Sequence, residues 1–161
     1  MTDFRRIIRL LVESGIRFIL VGGAAATAHG SVRLTKDVDI VYSRGGENIA
    51  RIVCAFAPLQ PYLRGAPPGL PFQWDEKTLI SGLNFTLDTS LGAIDLLGEI
   101  AGGGTYEDLL PHSNRIQLYG VECMCLGLEK LIQVKRAAGR PKDLEAIAEL
   151  TAILEERNRR D

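Results

Sequence analysis

Asp37 and Asp39 stand two residues apart in the run Asp37-Val-Asp-Ile-Val-Tyr42, and Asp95 interrupts the apolar run Ala93-Ile-Asp-Leu-Leu97. Side chains on a strand alternate with period two, so the first two carboxylates share one face. Asp95 sits where an unpaired carboxylate is costly to bury. If its strand lies beside that of Asp37, three carboxylates converge, and a divalent cation is the natural relief of their repulsion. Oxygen donors with neither histidine nor thiolate favour Mg²⁺ or Mn²⁺ over zinc. Upstream, Arg17–Val21, Gly22-Gly23 and Ala24–Ala28 read as strand, glycine turn and helix, a backbone that a phosphate can approach closely. Arg33, Thr35 and Lys36 lie between that turn and the carboxylates. Triphosphate, cations and basic side chains would then meet at one place, which is the equipment for in-line phosphoryl or nucleotidyl transfer.

Each piece has a plainer reading when taken alone. Gly22-Gly23 can be an ordinary strand-to-helix turn, and Asp37 and Asp39 can be turn, cap or solvated strand residues. Asp88 lies near a hairpin turn and is read as solvent-facing or turn-forming, not as part of the site. His29, next to Gly30, is read as a helix-end or packing residue. Cys123 and Cys125 share a strand face about Met124, but with His29 and His112 at unrelated spacings they do not make a zinc site.

Several elements must position the acidic residues. Phe4, Ile7, Ile8, Leu11 and Val12 have helical spacing, with Thr2 or Asp3 to cap the helix and Gly15 to end it. Ile49, Ile52, Val53 and Phe56 mark a helix over Glu47–Phe56. Pro58–Pro71 holds five of the seven prolines and is expected to be an irregular surface loop. Leu83–Asp88, the turn Thr89–Gly92 and Ala93–Leu97 read as a β-hairpin. Gly102–Gly104 is expected to be a loop, and Ile116–Tyr119 and Val121–Cys125 to be short strands about Gly120. A helix is expected over Leu126–Ala138, broken by Gly139-Arg-Pro141. A last helix over Asp143–Glu156 presents Leu144, Ile147, Leu150 and Leu154, with Arg157–Asp161 fraying. The fold class is therefore α/β (α+β): a mixed central sheet with flanking helices and a C-terminal helical pair over 125–156, in one domain spanning 1–161.

Composition narrows the function classes. A chain of 161 residues with 46% hydrophobic side chains can bury one real core. No apolar run approaches a membrane span and no signal segment is apparent, so no membrane association and a cytoplasmic location are expected. Three cysteines do not make a disulfide framework. A formal net charge of -1 with 6% aromatics argues against coating nucleic acid through a basic, stacking surface. From Glu129 to Lys142, however, Lys130, Lys135, Arg136, Arg140 and Lys142 face a single acid. Part of that set is read as a solvated helix face, while Arg140 and Lys142 flank the break at Pro141 and can reach over a cleft.

The segment VGGAAATAHGSVRLTKDVDIVY, with GAIDLL later, resembles the nucleotidyltransferase superfamily with the DNA polymerase β-like core. RLTKDVDI and LEKLIQVKRAAGRPKDLEAI are similar to its compact bacterial branch, which includes the AbiEii-type toxins. The resemblance spans roughly Phe18 to Leu150. It implies that Asp37, Asp39 and Asp95 are catalytic and hold Mg²⁺ or Mn²⁺, with Asp95 also helping to activate the acceptor hydroxyl. It implies that Gly22 and Gly23 face the phosphates of an NTP, and that Lys135 and Lys142, beside Asp143, are the basic positions of the late block. The implied activity transfers a nucleoside monophosphate to a hydroxyl of a tRNA end, a protein or a small molecule. Many members carry a serine after the first glycine, whereas this chain has Gly23 and Ala24; Thr27, Ser31 or Thr35 are the candidates to replace it. Larger relatives have a further acceptor domain, so a protein partner or a homodimer could complete the site. The alternative is a non-catalytic module of this fold, or a member of a toxin-antitoxin pair.

Overall fold

The computed structural model describes residues 1–160. Helix α1 (Phe4–Glu13) begins at Asp3, whose carboxylate accepts from the Arg6 N–H, and buries Ile7, Ile8 and Leu11. Strand β1 (Phe18–Val21) is buried along its whole length and runs into α2 (Gly22–Ala28). Strand β2 (Asp37–Tyr42) is followed by α3 (Gly46–Phe56). A two-residue strand β3 (Tyr62–Leu63) and helix α4 (Glu76–Ser81) precede the hairpin β4 (Asn84–Thr89) and β5 (Gly92–Leu97). The remaining elements are the small ribbon β6 (Glu99–Ile100) and β7 (Gly104–Thr105), helix α5 (Tyr106–Leu109), strands β8 (Ser113–Leu118) and β9 (Val121–Leu126), and helices α6 (Leu128–Ala138) and α7 (Pro141–Arg160).

The main sheet has seven strands in the order β3-β4-β5-β2-β1-β9-β8. It is mixed: β1 runs antiparallel to β2 and parallel to β9, and β2 runs parallel to β5. The buried apolar residues of β1, β2, β5 and β9 form one core with the inward faces of α1, α3 and α6 and with Leu150 of α7. This is the α/β architecture with a C-terminal helical pair expected from the sequence. No helix among the described residues is long and apolar enough to cross a membrane.

Several local expectations differ from the structure. The proline-rich segment is not wholly irregular: a 3-10 turn, Ala57–Leu59, leads into β3, which pairs with the edge of β4. Gly102–Gly104 is also not all loop, since Gly104 pairs with Ile100. Leu126 closes β9, so α6 starts at Leu128. The last helix starts at Pro141 and runs through Arg160. Proline is favoured in a first turn because its missing N–H has no intrahelical partner there. Arg157 does not belong to a frayed tail, because its guanidinium approaches the His29 ring and donates to the His29 carbonyl. Leu144 is exposed, and the helix turns Asp143, Ala146 and Leu150 inward instead. Position 161 lies outside the described residues.

Candidate active site

The parallel register of β2 and β5 sets Asp39 directly opposite Asp95 and Asp37 opposite Ala93. Adjacent strands are about 4.8 Å apart, so side chains opposite one another on the same face meet. Each of Asp37, Asp39 and Asp95 offers an oxygen within 4.8 Å of the other two. The alternation read from the sequence and the strand neighbourhood shown by the structure thus build one acidic cluster.

Two side-chain oxygens among the described residues are buried without a hydrogen-bond partner: Oδ1 of Asp39 and Oδ1 of Asp95. Burial, reinforced by the charge and hydrogen bonding of Asp95 and then by the charge of Asp37, pushes the Asp39 carboxyl up to about 7, while the Gly23 backbone N–H pulls the other way. A buried carboxylate that is costly to ionise, beside buried oxygens that accept no hydrogen bond, is what a hard cation stabilises. The residues present therefore fit a divalent ion, with Asp37, Asp39 and Asp95 to hold it.

The diglycine has a tighter role than a phosphate turn. Gly22 has φ +60°, in the left-handed region, and a Cβ there would lie 2.0 Å from Oδ2 of Asp39. A Cβ on Gly23 would lie 2.5 Å from the Thr35 hydroxyl. Both glycines are thus required by side chains of this chain itself. The Thr35 hydroxyl stands beside the space that a side chain at position 23 would enter.

Next to the carboxylates opens a cleft of about 360 Å³ lined by Gly22, Gly23, Ser31, Arg33, Thr35, Lys36, Asp37, Asp39, Lys135, Arg140, Lys142 and Asp143. The segment carrying Arg33 is tied to α7 through Ser31 to Glu149 and Arg33 to Glu145 at 3.2 Å. Lys135 is half-buried, and burial lowers its pKa against the opposing attraction of Asp143 and Asp39. Asp143 is 2% exposed and takes a paired contact from Arg140, Nε to Oδ2 at 2.6 Å and Nη2 to Oδ1 at 3.2 Å. Although burial opposes it, that contact holds the Asp143 carboxyl below its usual range. Asp95 does not line this cleft. A second cavity of about 280 Å³ meets the first at Gly22, Asp39, Lys135, Arg140 and Asp143, with Leu97, Ile100, Leu131 and Val134 among its walls. A groove of about 560 Å³ between Gly30 and α7 holds none of the three carboxylates.

Arg64 is the site residue that sequence reasoning missed. Its Nη2 lies 2.9 Å from Asp95 Oδ1, its Nη1 3.4 Å from Asp37 Oδ2 and its Nε 3.2 Å from Asp88 Oδ1. Nη2 also donates to the carbonyls of Leu87 at 2.7 Å and Ile94 at 3.4 Å. The Asp95 contact is an ion pair without hydrogen-bond geometry, which leaves Asp95 Oδ1 unsatisfied. Asp88 is solvent-facing as expected, yet it helps to hold this guanidinium. The available signal was an arginine in a segment able to pair with the Asp88 strand, near four acids short of counter-charge.

His29 has a structural position, its Nε2 being 2.7 Å from the Leu126 carbonyl. Burial lowers its pKa. Cys123 and Cys125 are buried, and burial followed by the charge of Cys123 pushes the Cys125 thiol up to about 12.

No protein-family model and no curated protein matches the sequence. Among solved structures, the chain is similar to the lincosamide antibiotic adenylyltransferase LnuA in its lincomycin-bound form. The TM-score is 0.63 at 12% identity, covering 94% of this chain and 98% of that one. The near-complete coverage on both sides means that the likeness is to the whole architecture. The chain therefore has the fold of a nucleotidyltransferase, and three acidic side chains able to hold a divalent metal gather on its sheet.

Proposed function

We propose that this protein is a metal-dependent nucleotidyltransferase of the cytoplasm, moving a nucleoside monophosphate from an NTP to an acceptor hydroxyl. The observation that carries the proposal is the pair of buried oxygens on Asp39 and Asp95 that accept no hydrogen bond, completed by Asp37 and opening at Asp39 onto a cleft lined by basic side chains. Mg²⁺ or Mn²⁺ held by Asp37, Asp39 and Asp95 supplies positive charge against the negative charge that develops on the transferred group.

The chain's own side chains do the rest. Lys135 of α6, Arg140 in the break after it and Lys142 of α7 line the cleft together with Arg33 and Lys36, to neutralise a triphosphate. The Thr35 hydroxyl, packed against Gly23, supports its role as the replacement for the serine of related motifs. The acceptor oxygen forms a bond to the α-phosphorus as the bond to the β-bridging oxygen breaks and pyrophosphate leaves. Asp95 receives the hydroxyl proton in the role that the motif resemblance implies. The same resemblance supports the toxin-like branch, with a protein partner or a second copy completing the acceptor side.

The acceptor class is a tRNA end, a protein hydroxyl or a small molecule. Incubating the protein with each α-labelled NTP and a cell lysate should label one of these classes, and Asp39→Asn should abolish the labelling while the protein stays folded. Equal labelling by Asp39→Asn would refute the assignment. The competing reading, a non-catalytic module of this fold, is favoured by the absence of a side-chain hydroxyl at Gly23 and Ala24. It predicts that NTP and Mg²⁺ together stabilise the protein no more than the better of the two alone, whereas a working site is stabilised most by both.

A further inference from the structure

The guanidinium of Arg64 is fastened to the sheet. Leu63 pairs with Leu87, and the Arg64 N–H continues the ladder to the Thr86 carbonyl at 3.0 Å. Thr86 lies opposite Asp95, so β-pairing itself delivers Arg64 to the flank of the acidic cluster. There Leu87 O, Ile94 O and Asp88 Oδ1 anchor three of its N–H directions. None of these anchors belongs to the cluster, so the charge is held there independently of the carboxylates it faces.

Its position divides the cluster. Arg64 stands against Asp95 Oδ1 and Asp37 Oδ2, the side that an ion shared by those two residues would occupy. Asp39 receives no contact from it, and the Asp39 Oδ1, buried without a hydrogen-bond partner, is left to a ligand. With the exposed Asp88 carboxylate left to solvent, the three ionised carboxylates of the cluster are balanced by one guanidinium and one divalent cation. A second divalent cation would leave the site with excess positive charge and would have to displace a guanidinium bound to two carbonyls.

We infer that Arg64 is a built-in substitute for one of two catalytic cations, so that the chain itself binds a single divalent ion, on the Asp39 side of the cluster. This rests on the nucleotidyltransferase reading of the site and deepens it. The guanidinium supplies one fixed positive charge shared between Asp37 and Asp95, where a two-ion enzyme uses metals about 3.5 to 4 Å apart. It acts on the transferred group through the carboxylates it positions.

The test counts Mn²⁺ bound to the protein alone, without nucleotide, by electron paramagnetic resonance. Wild type should bind one ion and show the spectrum of an isolated Mn²⁺. Arg64→Gln should bind two and show the line broadening of a coupled pair. Arg64→Lys, which keeps the charge, should remain at one. If Arg64→Gln fails to fold, Arg64→Met, with an unbranched neutral side chain, takes its place in the count. Two coupled ions in wild type, or a single ion in every folded variant lacking the charge, would overturn the inference and leave the metal centre standing. Absence of bound Mn²⁺ from every protein, wild type included, would remove the metal centre itself and the inference with it. Wild-type stoichiometry therefore separates the two failures.

Discussion

Replacing Asp39 by asparagine should stabilise the metal-free protein while destroying its cation site. The Asp39 carboxyl is raised from 3.8 to about 7, first by burial and then by Asp95. Between those values the folded state keeps a proton that the unfolded chain has released, so stability falls as pH rises through this window. A displacement of roughly three pK units corresponds to at most about 4 kcal/mol above neutral pH. Asparagine has the same outline, carries no charge, and can donate an N–H to the unpartnered Oδ1 of Asp95. In chelator at about pH 8 the variant should therefore melt higher than wild type, by up to on the order of 10 °C for a domain of this size. The gap should shrink below neutrality and close near pH 4, where the unfolded carboxyl also keeps its proton. Saturating Mg²⁺ or Mn²⁺ should raise the wild-type melting temperature and leave the variant nearly unmoved. Calorimetry in chelator and in metal, across pH, reads all of this. A variant no more stable than wild type in chelator above neutral pH, or a gap that does not change with pH, would refute the reasoning.

Gly22→Ala forces a left-handed residue to carry a side chain, costing roughly 1–2 kcal/mol, and drives its Cβ into Asp39 Oδ2; calorimetric titration should show cation binding lost in a protein that circular dichroism shows to be folded. Lys135→Ala should cut the melting-temperature gain from NTP with Mg²⁺ by more than half while leaving Mn²⁺ binding intact. Asp143→Ala removes the buried acceptor of Arg140 and should cost about 2–4 kcal/mol in denaturant melts at neutral pH. Because the Asp143 carboxyl is held below its usual range, its contribution is present at neutral pH and is lost as acid protonates it, a trend opposite in sign to that of Asp39. Of the three thiols only Cys54 is exposed, so native protein should react with a thiol reagent at one site and denatured protein at all three.

Much of the framework could be read from local pattern. The spacing of Ile7, Ile8 and Leu11 and of Ile49, Ile52 and Phe56 follows the helical repeat, and these residues are buried as that repeat requires. The hairpin around Thr89–Gly92 likewise carried its turn chemistry on its face. Boundaries were harder where tertiary contact outweighs propensity. Arg157 is held in α7 by His29, and Leu144 is turned outward because the inward place goes to Asp143, whose charge is balanced by Arg140. A hydrophobic pattern gives no reason to bury an aspartate in preference to a leucine.

By itself the sequence determined that Asp37 and Asp39 share a face, because the pleat of a strand is a property of the backbone. It also placed an acid inside an apolar strand at Asp95. Whether that acid would meet the other two depended on β5 lying parallel to β2 with Asp95 opposite Asp39, a long-range pairing that no local spacing encodes. The same holds for Arg64. It comes from a two-residue strand in a proline-rich stretch and reaches the cluster only because β3 docks on β4. Local periodicity decides which way a side chain points, and strand order decides what charge it finds there.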